Sequence, residues 1–148
     1  MQKSTLSLIL LTAACAFAAT LYGFGASVFS WRSVYEETGR EALIQATRIF
    51  VYVALGVLLA FRGGWPGVAA AVVMALVATS VEWALFPFSY RWAALGQEAA
   101  YAEKFSTIAR PPYSVWIAYD IFAVAISAAL AQSLRMMAHV NPRGIGGG

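Results

Sequence analysis

Four long apolar stretches dominate the pattern of hydrophobic and polar positions along the chain. They cover residues 6–28, 43–61, 66–88 and 113–134. None alternates strictly between apolar and polar positions, and each is long enough, at 1.5 Å per residue, to cross a hydrocarbon core of about 30 Å. Because only helices and closed barrels satisfy the backbone in lipid, continuous apolar stretches predict transmembrane helices. We expect these helices at approximately 6–30, 40–61, 66–88 and 113–135.

Local signals mark where the helices begin and end. Thr38 and Glu41 have the spacing of a capping box, which predicts that the second helix starts near Thr38. Residues 62–66 form a glycine-rich turn, in which Pro66 suits the first turn of the third helix. The pattern predicts an all-α integral membrane domain over residues 1–138, built as a four-transmembrane-helix up-down bundle, followed by a flexible tail at 139–148.

The one substantial loop, residues 89–112, allows two interpretations. Its apolar positions recur roughly in helical register at Trp92, Leu95, Ala99 and Ala102. The segment could lie as an amphipathic, interfacial helix on the membrane surface. It could instead prolong the third helix beyond a kink at Pro87.

The composition supports a membrane location. Hydrophobic residues make up 61% of the 148 positions and charged residues 11%, whereas about 25% of a typical soluble domain is charged. A soluble domain of this size could not hide so much apolar surface, because small domains bury a smaller fraction of their surface. The net charge of +3 does not indicate a nucleic-acid partner, since the basic residues are scattered at helix ends and form no run.

Rare residues limit the chemistry that the chain can hold. Cys15 is the only cysteine, which excludes an intrachain disulfide and a thiolate metal cluster. His139 is the only histidine, which excludes a bis-histidine haem within one chain. The carboxylates have no accompanying nucleophile with an activating base. We therefore expect no cofactor, no metal and no catalytic residue, and the pattern favours a protein that is not an enzyme.

The N-terminal stretch also has features of a targeting signal. Lys3 precedes apolar positions that lead to residues 16–18, Ala-Phe-Ala, which match the A-x-A pattern of a secretory cleavage site. The apolar stretch continues to Val28, which is longer than a signal core. This length favours a retained first helix over a cleaved signal.

Loop charges predict the orientation of the bundle. One side carries basic residues and no acidic ones: Lys3, Arg62, Arg135 and Arg143. The other side mixes both signs: Arg32, Arg40, Arg91, Lys104 and Arg110 beside Glu36, Glu37, Glu41, Glu98 and Glu103. The short, acid-free flanks favour both termini in the cytoplasm, with the protein in a bacterial inner membrane. An aromatic belt is then expected at the outer interface, formed by Trp31, Tyr35, Tyr90, Trp92, Tyr113 and Trp116.

Three ionisable residues, Arg48, Glu82 and Asp120, interrupt the apolar stretches. In an up-down bundle they all lie about 8 to 10 Å inside the same interface. One charge in hydrocarbon costs about 2.5–3.5 kcal/mol on insertion scales, so three charges at one depth favour a shared cluster in which Arg48 pairs with one or both carboxylates. Gln45 and Tyr52 share the helical face of Arg48 and complete the predicted intramembrane polar cluster.

Small residues predict which helix faces meet. Near the two carboxylates, the residues on the same face are Ala75, Ala78 and Thr79 for Glu82, and Trp116, Ala123 and Ser127 for Asp120. The first helix carries no charge in its apolar stretch but has a small-xxx-small stripe, Ala19, Gly23 and Ser27. Such stripes let helix backbones approach closely in membranes.

The predicted cluster allows three roles. It could be a structural staple that fixes the order of the helices, a proton or substrate site, or a pairing surface for another protein. A structural staple explains all three charged residues without a substrate or a partner protein, so this role is favoured. We therefore expect a non-catalytic accessory or structural subunit of a larger membrane complex, whose partners are the lipid bilayer and either another membrane protein or further copies of the chain. The alternative is a small proton- or ion-coupled transporter that works as a homo-oligomer through Glu82, Asp120 and Arg48.

Overall fold

The structure, a computed structural model, describes residues 3–101 and 113–140. This part of the chain contains no strand and four long α-helices: α1 Lys3–Tyr35, α2 Glu41–Gly63, α3 Trp65–Ala93 and α4 Tyr113–Val140. All four are long and apolar enough to span a membrane, with peak mean hydropathies between 1.8 and 2.0. The prediction of an all-helical chain with four membrane-length helices is confirmed. Most helices run past their apolar stretches, because helix ends are set by turn residues and not by the hydrocarbon edge.

The link between α1 and α2 does not form the predicted capping box. The second helix begins at Glu41, after Arg40, and no side chain caps it. Ser33, near the end of α1, contacts the two side-chain groups that the capping box would use, the Thr38 hydroxyl and the Glu41 carboxylate. Its hydroxyl lies 2.5 Å from Thr38 Oγ1 and 3.2 Å from Glu41 Oε1, and it accepts the Arg40 N–H at 3.0 Å. The second helix therefore begins three residues after Thr38 and one residue after the expected position 40.

The link between α2 and α3 is a tight turn, as predicted. Gly64 adopts a φ of 62° and its N–H donates to the Ala60 carbonyl at 2.9 Å. Pro66 occupies the first turn of α3, where a missing N–H costs nothing. At Gly67 the two backbones nearly touch, since a Cβ there would lie 2.1 Å from the Leu59 carbonyl oxygen. The α2–α3 pair is therefore a closely packed hairpin.

The structure supports one of the two interpretations of residues 89–112 over the first part of this segment. The third helix passes through Pro87 and continues to Ala93, so it is prolonged. A turn around Gly96, with φ 81°, ends it, and residues 98–101 are helical again. Residues 102–112 and 141–148 lie outside the described residues, so the interfacial helix and the flexible tail stay predictions. The last helix extends over residues 139–140, which the sequence pattern assigns to the tail.

The packing places α2 and α3 at the centre, with α1 and α4 on either side of them. The interior is filled mostly by small side chains, among them Ala19, Ala71, Ala75, Ala78 and Ala128, around the larger Tyr52, Leu59, Met74 and Val124. Large apolar side chains point outward from every helix. Small interior residues let the backbones approach closely, as is typical of membrane bundles. Most polar residues of the interior gather towards the end that carries the α1–α2 link, whereas Gln132 is buried near Gly64 at the opposite end.

Candidate functional site

The structure brings Arg48 of α2, Glu82 of α3 and Asp120 of α4 together inside the bundle. Their exposed fractions are 3%, 1% and 2%. Each side chain projects from a different helix, so the contact requires the three helices to match in depth, as the sequence predicts. We refer to these three residues as the charge cluster.

One guanidinium serves both carboxylates. On the Glu82 side, Arg48 Nε lies 2.9 Å from both carboxylate oxygens, and Nη2 lies 2.8 Å from Oε2. On the Asp120 side, Nη1 donates to Oδ1 at 3.0 Å and Nη2 donates to Oδ2 at 2.5 Å. Paired contacts of this kind use the planar fork of arginine and fix its orientation. Lysine could not make them, because its ammonium group is a single point charge.

Three hydroxyl groups complete the coordination of the carboxylates. Ser27 of α1 donates to Glu82 Oε1 at 2.8 Å, and Tyr52 donates to Glu82 Oε2 at 3.0 Å. Thr79 donates to Asp120 Oδ2 at 2.8 Å. The Tyr52 ring also lies against the guanidinium, with its centroid 4.8 Å from Arg48 Cζ, which suits a cation–π contact. Every carboxylate oxygen of the charge cluster therefore accepts at least one hydrogen bond within the bundle.

Gln45 shares a helical face with Arg48. It is half-buried and makes no hydrogen bond to the charge cluster. It lies three positions closer to the start of α2, or about 4.5 Å along the axis. The role of Gln45 in the polar cluster stays a prediction; its side chain lines a cavity at the end of the bundle, together with Ser27.

The small-residue stripe of α1 is what lets the charge cluster form. Ala19, Gly23 and Ser27 are all buried. A Cβ at Gly23 would lie 2.6 Å from Glu82 Oε2 and 2.7 Å from the Tyr52 hydroxyl. Since real Cβ atoms do not come so close, only glycine leaves room for the carboxylate and the phenol at this point.

The inward face of α4 is rotated relative to the prediction. Trp116, Ala123 and Ser127 are half-buried, whereas Val124 and Ala128 are fully buried with Asp120. Val124 packs against α2 where that helix has Gly56, whose Cβ position would lie 2.6 Å from Val124 Cγ1. This contact sets the rotation of α4, and helical spacing alone does not reveal it.

A cavity of about 350 Å³, open to the outside of the bundle, adjoins the charge cluster at the bundle end. Its lining includes the aromatic residues Trp31, Phe86 and Trp116 and the polar residues Glu41 and Gln45. Of the residues predicted to form an aromatic belt, Trp92 and Tyr113 are exposed at 59% and 38%, but Tyr35 is only 5% exposed. Trp31 packs against Tyr35, Phe86 and Tyr90. The aromatic residues at this end therefore form an internal cluster as well as an outer rim.

Within residues 3–101 and 113–140, no group of three His, Cys, Asp or Glu side chains is placed to hold a metal ion. Compared with known protein families, curated proteins and solved structures, the chain shows no significant match. The functional argument therefore depends on the geometry of the chain itself.

Proposed function

We propose that this chain is a four-pass membrane protein whose charge cluster is a structural staple, and that it serves as a non-catalytic accessory or structural subunit of a larger membrane complex. The observation that carries the proposal is the complete pairing of the charge cluster. Arg48 and both carboxylates are buried and bonded to one another and to hydroxyls of the same bundle. Groups committed in this way hold helices together and are not presented to a substrate.

The outer surface supports insertion in a bilayer. Phe17, Phe50 and Phe122, on three different helices, are exposed at 68%, 71% and 65%. Apolar side chains cover the outside of a bundle that has small residues and charges inside, which is the reverse of a soluble protein.

The arrangement of the ends supports an up-down crossing with both termini in the cytoplasm of a bacterial inner membrane. Arg135 Nη1 donates to the Phe61 carbonyl, which places the basic ends of α2 and α4 together. Arg62 lies beside this contact in the sequence, and the same end carries no acidic residue among those described. A basic end of this kind favours the cytoplasmic side.

Native mass spectrometry of the protein, taken from its own membrane in a mild detergent, tests the proposal. We expect the chain to be found in a stable complex with at least one different membrane protein. A chain that leaves the membrane only as a monomer or homo-oligomer would contradict the accessory role.

A second function, a small proton- or ion-coupled transporter working as a homo-oligomer, is favoured by one observation. The charge cluster has one guanidinium and two carboxylates, so its formal charge is −1 when all three groups are ionised. A net charge in a low-dielectric interior is costly, and a bound proton or cation would remove that cost. Glu82, Asp120 and Arg48 would then form the coupling site.

Liposomes that contain the purified chain and an internal pH-sensitive dye separate the two functions. The transporter requires a proton flux driven by a potassium diffusion potential, and Glu82→Gln should abolish that flux in protein that still folds. The accessory role requires no flux from either protein.

A further inference from the structure

The cavity beside the charge cluster is built by the whole bundle. All four helices contribute to its lining, and its volume of about 350 Å³ falls within the range of about 300–1,000 Å³ of small-molecule sites. Ser27 is one of the lining residues, and its hydroxyl donates to Glu82 at 2.8 Å. Ser27 therefore belongs to the cavity lining and also contacts the charge cluster.

Aromatic rings form one wall of the cavity. Phe86 lies between Trp31 and Trp116, with centroid distances of 5.7 and 5.6 Å and interplanar angles of 72° and 88°. These edge-to-face contacts fix all three rings. The Trp116 ring is also within 6.0 Å of Arg48 Cζ, so this wall is already next to one cation. Rigid aromatic surfaces bind apolar groups, and they bind cations especially well.

The charges around the cavity favour a cation. Glu41 and Gln45 line the wall that α2 provides, and the lining has no Lys or Arg among the described residues. The charge cluster beneath Ser27 adds a formal charge of −1. Arg40, the neighbour of Glu41, lines a separate groove between α1 and α2. An anion would face a carboxylate without a compensating cation in the lining, whereas a cation would be attracted to both negative groups.

We propose that this cavity binds a small quaternary ammonium compound. Its methyl groups lie against Trp31, Phe86 and Trp116, and its charge is balanced by Glu41. Aromatic surfaces with a nearby carboxylate suit this chemistry, because a quaternary ammonium group is weakly hydrated and has no N–H to donate. The inference concerns a ligand site and does not depend on the accessory role or on transport.

Two probes of equal shape test the proposal. Choline and its uncharged carbon analogue, 3,3-dimethylbutan-1-ol, are titrated by calorimetry into the full chain in a maltoside detergent, because a phosphocholine detergent would compete. We expect saturable choline binding and at least about tenfold weaker binding of the alcohol, which corresponds to about 1.4 kcal/mol. Equal affinities, or no saturable choline binding, would overturn the proposal.

A pair of matched variants locates the site. Glu41→Gln removes the carboxylate of the lining and should weaken choline binding about five- to tenfold without changing the binding of the alcohol. Glu98→Gln removes a carboxylate outside the lining of the cavity and should change neither. Equal effects of the two variants on choline would show that the cavity is not the site.

Glu41→Gln changes a group that lies 3.2 Å from the Ser33 hydroxyl, so it could also alter the folding of the α1–α2 link. A further variant therefore tests the site without changing Glu41. Gln45→Lys places a positive charge in the lining at a half-buried position that holds no hydrogen bond of the charge cluster. It should abolish choline binding while the alcohol still binds. Retained choline affinity in folded Gln45→Lys protein would refute the proposed site.

Discussion

Replacement of Arg48 by Gln should be the most damaging single change in the charge cluster. The side chain is 3% exposed and contacts both carboxylates, at 2.8 Å for Glu82 and 2.5 Å for Asp120 through Nη2. Without it, two buried carboxylates would face each other with hydroxyl donors but no cation. Glu82→Gln is milder, because Arg48 keeps its paired contacts with Asp120 and the formal charge of the cluster falls from −1 to zero.

The expected magnitudes follow from this difference. Removal of one partner of a buried ion pair costs about 3–5 kcal/mol. Since Arg48 serves two carboxylates, Arg48→Gln should reach about 5 kcal/mol, and Glu82→Gln should stay near about 3 kcal/mol or below. At about 3 °C per kcal/mol for a chain of this length, these costs lower the Tm by about 15 °C and about 9 °C.

The triple variant Arg48→Gln, Glu82→Gln, Asp120→Asn tests the same reasoning in reverse. It removes every charge at once, so most of the loss caused by Arg48→Gln should be recovered. The double variant Arg48→Gln, Glu82→Gln still leaves Asp120 charged beside Thr79 and should recover less. Neutral replacement of a complete buried charge network is often tolerated.

The single cysteine of the chain provides the assay. Cys15 is 4% exposed, so a thiol-reactive dye reports its release as the bundle unfolds on heating in detergent. A Tm for Arg48→Gln within about 3 °C of the unmodified chain, which corresponds to about 1 kcal/mol, would refute the staple. A triple variant no more stable than Arg48→Gln would refute the account of the charges.

Three further predictions concern close helix contacts and orientation. Gly23→Ala should destabilise the bundle by about 1–3 kcal/mol through overpacking. The control Gly25→Ala has no atom within 4 Å of the added Cβ and should be neutral or slightly stabilising in the same thermal assay. Equal shifts in Tm for the two variants would contradict the packing at Gly23. Gly67→Ala should be worse than Gly23→Ala, because its Cβ would meet backbone; a Tm close to that of the unmodified chain would show that α2 and α3 are farther apart. A cysteine at Gly146, in a Cys15→Ala background, should resist a membrane-impermeant maleimide added to intact cells, and labelling there would reverse the orientation.

The contact between charged residues could be predicted because few alternatives exist for a charge within an apolar helix. Arg48, Glu82 and Asp120 each interrupt an apolar stretch at a similar depth, and unpaired charges in lipid are costly. The types of these three residues and their depths in the helices were therefore sufficient to predict the contact, without knowledge of the helix rotations.

The hydroxyl partners could not be predicted in the same way. Ser27 and Thr79 bond to carboxylates, but Thr12 and Thr20 bond to carbonyls of their own helix at 2.7 and 2.8 Å. A hydroxyl in a membrane helix satisfies itself locally unless the packing offers a better acceptor. Its role therefore depends on the tertiary structure.

The rotation of α4 was missed for a related reason. Positions three and four residues from Asp120 lie on either side of the same helical stripe, so Ala123 and Val124 are nearly equivalent in the sequence. The choice is made by Gly56 on α2, whose missing side chain accommodates Val124. The rotation of α4 can therefore be predicted only when it is known that Gly56 of α2 faces Val124 of α4.

The tight hairpin of α2 and α3 sets an order of events during synthesis and insertion. Arg48 leaves the ribosome first, and the turn at Gly64 brings Glu82 to it as soon as α3 has formed. The isolated hairpin therefore carries a matched pair of opposite charges, so neither helix needs to enter the bilayer with an unpaired charge. Asp120 arrives later and docks onto a guanidinium that is already oriented. Because α1 is made before both of them, biogenesis is expected to pass through a three-helix intermediate in which the charges of Arg48 and Glu82 cancel, and the addition of α4 is the step that introduces the excess negative charge.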